Sequence, residues 1–297
     1  MIQLLWVITA LVKVAFHVAF QIGKKALSTE YDPLHVSFAA TVIGVALYVP
    51  VVLVFGSHQS IINALQDPGL IVLMTLSGFL NAGVFYTSLK AMQTEDVSLV
   101  TPITQTYPVL VALMEPLLVG EIRYSPLLLA AAALAGIGGY GTMLDDTGDA
   151  LKPIKRIRNA GIQFALLVAA FSAAIAVIDR SALLRSGLPA YIYPLPAGVF
   201  LIAAILVLLT VTGRGVPGGD VFADRTVQTT GVAIAGMTLF TYATFQLVTA
   251  TQATIAFLLV APATVLVGGN VFKEDGIARK LASASLILIA VALATVV

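Results

Sequence analysis

Ten stretches of roughly 20 mostly apolar residues follow one another along this chain, and no other feature restricts its fold so severely. They run Ile2–Gln21, Leu34–Phe55, Gly69–Leu89, Val97–Val119 and Leu127–Leu144, then Gly161–Ile178, Ala190–Thr212, Gln228–Val248, Ala253–Phe272 and Ile277–Val297. A helix needs about that length to cross the hydrocarbon of a bilayer, where its backbone finds no water to bond with. Period-2 alternation is missing, which argues against a β-barrel. The expected fold class is therefore an all-α integral membrane protein of ten transmembrane helices, seated in a lipid bilayer. Composition decides between the remaining classes. Hydrophobic residues make up 59% and charged residues 10% of the 297, against roughly 25% charged in soluble domains. A soluble enzyme could not hide that much apolar surface. Net charge of +1 without a basic run speaks against nucleic acid as a partner. There is no Cys, and His17, His35 and His58 are far apart, so no metal or cofactor is expected.

The loops are short, the longest being 145–160 and 213–227, and neither holds a folded domain. The first loop divides five spans from five. Lys24-Lys25-Ala26-Leu27 returns as Arg180-Ser181-Ala182-Leu183, and Pro108 with Val119-Gly120-Glu121 returns as Pro262 with Phe272-Lys273-Glu274. Residues 1–144 and 161–297 thus read as two five-helix repeats around a central loop, 145–160. Five is odd, so the second copy is inverted, an architecture of secondary transporters. Of the 16 Lys and Arg, twelve fall on one side of a ten-span arrangement; Arg123, Arg180 and Arg185 fall on the other, and Lys13 inside a span. The positive-inside rule then places both termini outside, in a cell (plasma) membrane protein with no cleavable signal.

Tyr86, Val97-Ser98-Leu99-Val100, Pro108 and Gly120-Glu121, followed by a small-residue helix, resemble a repeat of the EamA-type drug/metabolite transporter superfamily. The resemblance covers nearly the whole chain, once per half, with the second copy weaker. It implies an alternating-access carrier, an exporter by analogy, with the cavity among helices 1–4 and 6–9 and with helices 5 and 10 outside. The chain departs from the family in its first helix, where Ala10-Leu11-Val12-Lys13-Val14-Ala15-Phe16-His17 stands. It departs again in the second, where Ser37 and Thr41 stand near the position of a frequent Arg.

Lys13 is the most informative residue. It lies about 12 residues, or roughly 18 Å, into the first span, where a charge needs a cavity or a partner. His17 follows on the same face, in a stripe with Trp6, Phe20 and Lys24. Lys13 either meets a substrate's carboxylate or phosphate, or pairs with Glu115 of the fourth span. Glu115 or His17 is alternatively a carrier of coupling protons. In the same span Thr101, Pro102, Thr104, Gln105, Tyr107 and Pro108 form a polar, kinked stretch. On a helical wheel Thr101, Thr104, Pro108 and Glu115 share a face. Asn81, Tyr86, Tyr242 and Gln246 extend the candidate substrate site to the third and eighth spans, and Pro262 kinks the ninth. The runs Ala131-xxx-Ala135-xxx-Gly139 and Ala290-xxx-Ala294 are expected to pack helices 5 and 10 closely. Glu121 and Glu274 match a recurring Glu of the family and are expected to cap or pair at span ends.

The chain accordingly reads as a secondary carrier for a small anionic or zwitterionic metabolite, such as an amino acid or organic acid, acting as a monomer or weak homo-oligomer and not as an enzyme. The alternatives are a flippase for a lipid-linked phosphate or sugar and, more remotely, an intramembrane transferase using Asp145 and Asp146.

Overall fold

The computed structural model describes residues 2–27, 30–55, 57–94, 97–119, 125–143, 155, 157–272 and 277–296. Glu121, Glu274, Arg123 and the acidic run from Asp145 to Asp149 lie outside the described residues, as do the side chains of Lys24 and Lys25. All regular structure among the described residues is helical. The first half comprises α1 (Ile2–Leu27), α2 (Pro33–Ala46), α3 (Tyr48–Val54), α4 (His58–Ala64), α5 (Pro68–Thr94), α6 (Val97–Thr104), α7 (Tyr107–Val119) and α8 (Pro126–Met143). The second comprises α9 (Ala160–Ser186), α10 (Pro194–Val211), α11 (Gly219–Ala223), α12 (Arg225–Leu247), α13 (Ala250–Phe257), α14 (Val260–Phe272) and α15 (Ile277–Val296). Five helical stretches among the described residues are long and apolar enough to cross a membrane alone: 5–23, 33–54, 68–91, 160–186 and 194–211. Three shorter apolar helices accompany them. The protein is an integral membrane protein.

Local chemistry sets the ends. Asp32 caps α2 by accepting the Leu34 amide at 2.8 Å, with Pro33 at the first helical position, where its missing N–H costs nothing. Asp224 accepts the amides of Thr226 and Val227 at the start of α12. Thr249 and Gln252 form a reciprocal capping box on α13. Gly187, at φ 63°, ends α9 in the left-handed region that a side chain would resist.

Three expectations need correcting. The sixth span does not stop at Ile178: α9 continues to Ser186, because Asp179 and Arg180 find partners inside the bundle instead of marking a loop. The fourth and ninth spans are not merely kinked but broken, at Gln105–Thr106 and at Leu258–Leu259. Each break precedes a proline, Pro108 or Pro262, that cannot donate to the turn behind it. The short helices α4 and α11 lie in segments expected to be irregular.

Packing repeats between the halves. α1 lies along α12 as α9 lies along α5, α2 meets α12 as α10 meets α5, and α8 runs along α15. Close approaches to a neighbouring backbone correspond too. A Cβ added at Gly44 of α2 would lie 2.9 Å from the Gly231 carbonyl of α12, and one at Gly78 of α5 would lie 2.8 Å from the Phe200 carbonyl of α10. Ala131, Ala135, Ala290 and Ala294 are fully buried. A Cβ on Gly138 of α8 would meet Ser283 and Ile287 of α15, so this pair is sealed by small residues.

Ties between helix ends fit ten crossings. Asp67, before α5, bonds Arg185 at the end of α9, and Asp32, before α2, bonds Arg214 just after α10. Each tie joins two ends that a ten-span count places on the same face.

Candidate functional site

A cavity of about 830 Å³ occupies the middle of the bundle. Every span contributes to its wall except the fifth (α8) and the tenth (α15). It extends from Asp179, Tyr193 and Tyr242 towards Phe20, Gln21, Ser88 and Val168. The latter group stands near the end of α1 and α5 and the start of α9, the face that carries most of the lysines and arginines.

Of the residues singled out in the sequence, Lys13, His17, Asn81, Thr101, Thr104, Gln105, Tyr107 and Tyr242 line this cavity. Lys13 is buried, at 6% exposure. Its Nζ lies 2.9 Å from His17 Nδ1 and 4.2 Å from the centre of the Phe257 ring. A neutral imidazole has one acceptor nitrogen, so His17 accepts either from Lys13 on Nδ1 or from the Gln21 side-chain nitrogen, 3.2 Å from Nε2, but not from both at once. The ring face of Phe257 attracts the cation through its quadrupole. Lys13 therefore sits in the cavity wall between an imidazole and a phenyl ring, with no carboxylate paired to it among the described residues.

The expected partner is elsewhere. Glu115 is fully buried and does not line the cavity. One carboxylate oxygen accepts the Ala250 amide at 2.6 Å, and the other accepts the Thr251 amide at 2.9 Å and the Thr251 hydroxyl at 2.7 Å. Arg180 stands 3.6 Å away and also donates to the Val248 carbonyl at 2.8 Å. Glu115 thus holds the N-terminus of α13, where aligned amides favour an anion. The Lys13–Glu115 pair does not form. Nor do Thr101, Thr104, Pro108 and Glu115 share a face. A single helical wheel assumes an unbroken helix, and the break at Gln105–Thr106 turns the first two to the cavity and Glu115 away.

Two further residues stand apart from the cavity. Tyr86 is on α5 with its ring 5.8 Å from Lys90 Nζ, and Gln246 is exposed and donates to the Leu188 carbonyl at 3.0 Å. The Thr104 hydroxyl returns to the Thr101 carbonyl at 2.8 Å, so it satisfies its own helix. Asn81 donates to the Ser77 carbonyl at 3.0 Å.

The sequence reading missed Asp179. It lies in the cavity wall at 9% exposure, accepting from the Ser77 hydroxyl and, at 3.3 Å, from the Tyr242 hydroxyl. Beside it the Tyr193 ring packs edge-on to Tyr242, with centroids 4.7 Å apart. The signal was present: three apolar residues, Ala182 to Leu184, follow the Asp179–Arg180 pair, so the apolar stretch resumes and the pair is inside the membrane.

A lipid-spanning bundle around a solute-sized chamber with ionisable side chains in its wall defines a polytopic membrane protein of the transporter type. Residues 4–144 match the EamA-like transporter family, which indicates a membrane protein of the drug/metabolite transporter type. One crystal structure of a protein superposes with a TM-score of 0.73 over 98% of this chain and 97% of its own, at 15% sequence identity, and so shares the fold. No curated protein matches the sequence.

Proposed function

We propose that this protein is a secondary active carrier that moves a small anionic or zwitterionic metabolite through its central cavity by alternating access. Residues 1–144 and 161–297 are its two moving halves. The observation that carries this reading is the placement of Lys13 in the cavity wall, paired with no carboxylate among the described residues, with its expected partner Glu115 engaged elsewhere. A cation kept there at the cost of desolvation is best explained by a solute that supplies the missing anion. His17 positions the ammonium, and Asn81, Gln105 and Tyr107 offer hydrogen bonds around it.

The extent of the cavity supports a carrier resting in one of its two states. It reaches towards the lysine- and arginine-rich face. At the other face the halves are tied by Glu115 to α13 and by Asp67 to Arg185. Opening that second face requires these ties to break. The charge bias supports a plasma-membrane orientation with the basic face in the cytoplasm.

Uptake of radiolabelled amino acids, organic acids and phosphate esters into proteoliposomes tests the proposal, with wild type compared against Lys13→Ala. The expected outcome is transport of an anion or zwitterion that collapses in a still-folded Lys13→Ala protein. Normal transport by Lys13→Ala would remove Lys13 from the site. Absence of any soluble substrate would favour a lipid-linked phosphate.

A further inference from the structure

The cavity holds a second pole that the carrier reading does not use. Asp179 presents both carboxylate oxygens to neutral hydroxyls, those of Ser77 and Tyr242. A carboxylate offers about four lone-pair sites, and these two bonds leave the others open. Among the described residues no cation pairs with it. The adjacent Arg180 turns to Glu115 and the Val248 carbonyl, and no ion pair joins Asp179 to Lys13. Tyr193 supplies an independent observation. It is fully buried, it lines the same cavity, and its hydroxyl has no hydrogen-bond partner among the described residues. A buried hydroxyl left unpaired is destabilising unless something completes it.

These features fit one kind of ligand group. An ammonium brings a positive charge for the carboxylate and three hydrogens that need acceptors, of which Asp179 and the Tyr193 oxygen provide two. Two aromatic rings beside the acid, Tyr193 and Tyr242, also tolerate a cation. A neutral hydroxyl or amide would leave the buried negative charge uncompensated.

The two poles are kept from cancelling each other. From Lys13 the wall runs through Phe257, then Phe245 at 6.0 Å between centroids, then Tyr242 at 6.5 Å. This aromatic strip separates the Lys13 ammonium from the Asp179 carboxylate, so each charge stays available to a solute. Resting on the carrier reading, we infer that Asp179, with Tyr193 and Tyr242, binds the ammonium of a zwitterionic solute whose carboxylate meets Lys13.

The test uses the full-length protein in proteoliposomes, with leucine, γ-aminobutyrate and ε-aminocaproate, whose two charges lie progressively further apart, as probes. Each is paired with its deaminated acid and its decarboxylated amine. Binding is followed in parallel as a ligand-induced rise in Tm in detergent. Wild type is expected to take up at least one amino acid at least about tenfold better than either singly charged counterpart, because a buried charge left without its partner rejects the analogue. Asp179→Asn should abolish the preference over the deaminated acid, read as the ratio of the two uptakes. Lys13→Met should abolish the preference over the amine. Retention of the full preference in Asp179→Asn overturns the proposal. So does loss of only the response to an imposed pH gradient, which would make Asp179 a proton site. Efficient wild-type transport of acids without regard to the amine overturns this inference but leaves the carrier reading standing. Failure of wild type to bind or move any probe, of either charge type, counts against both.

Discussion

Two carboxylates are buried among the described residues of this membrane protein, and they could hardly be treated more differently. Glu115 receives two backbone amides, a hydroxyl and a guanidinium, and does not line the central chamber. Asp179 receives two neutral hydroxyls and faces the central chamber. Burial alone therefore does not mark function. An acid that is fully satisfied by charged and dipolar donors serves as a fastener. An acid left short of a cation, at the wall of a solute-sized space, is ready to meet one from outside.

The contrast can be broken most directly at Glu115. Its replacement by Ala strands the amides of Ala250 and Thr251 and leaves Arg180 uncompensated, which should cost about 3–5 kcal/mol. The measurement is the midpoint of thermal unfolding in detergent. Asp179→Asn should leave that midpoint within a few degrees of wild type, since an amide can still bond both hydroxyls; a fall as deep as that of Glu115→Ala would erase the distinction. Exchanging charges, with Lys13→Glu combined with Glu115→Lys, sharpens it further. The two sites share no partner, so the double variant should be no more stable than Glu115→Lys alone. Recovery of stability would restore the direct pair that the structure lacks. A smaller effect is expected from Tyr242→Phe, which removes one bond to Asp179 and should cost about 1 kcal/mol.

The weakest effect belongs to an exposed acid, Asp67. Its hydrogen bond from Arg185 holds its pKa below the ordinary 3.8. The sign follows from linkage: a depressed folded pKa contributes stability above 3.8, and that contribution is lost as pH falls through the lowered value. Wild type should lose its small advantage over Asp67→Asn only in that acid range. An advantage that persisted below it would remove the ion pair as the cause.

The spans were largely legible because hydrocarbon thickness fixes their length. The second, third, fifth, eighth and tenth matched within a few residues, and the small-residue runs fell at the α8–α15 contact. Lys13 and His17 were legible as well, because a lone cation in an apolar stretch has few resting places. Asp179 was not. Adjacent Asp and Arg resemble a helix end until the partners that neutralise Arg180 are known, and those come from α7 and the turn before α13. The pairing of Lys13 with Glu115 failed for a related reason. Depth along a helix can be counted from sequence, but rotation about a broken helix cannot. Gly44 and Gly78 were also passed over, since their role depends on which neighbour lies opposite.

The broken helices also bear on how the chain enters the membrane. α6 has 8 residues and α7 has 13, so at 1.5 Å per residue they measure about 12 and 20 Å. Neither could remain in a bilayer core of about 30 Å on its own with its end groups unmet. α13 and α14, also 8 and 13 residues long, repeat the problem. Glu115, the acceptor for the first amides of α13, is made some 135 residues before them. The ninth span can therefore settle only when an already inserted fourth span offers that carboxylate, which makes biogenesis of the second half depend on the first.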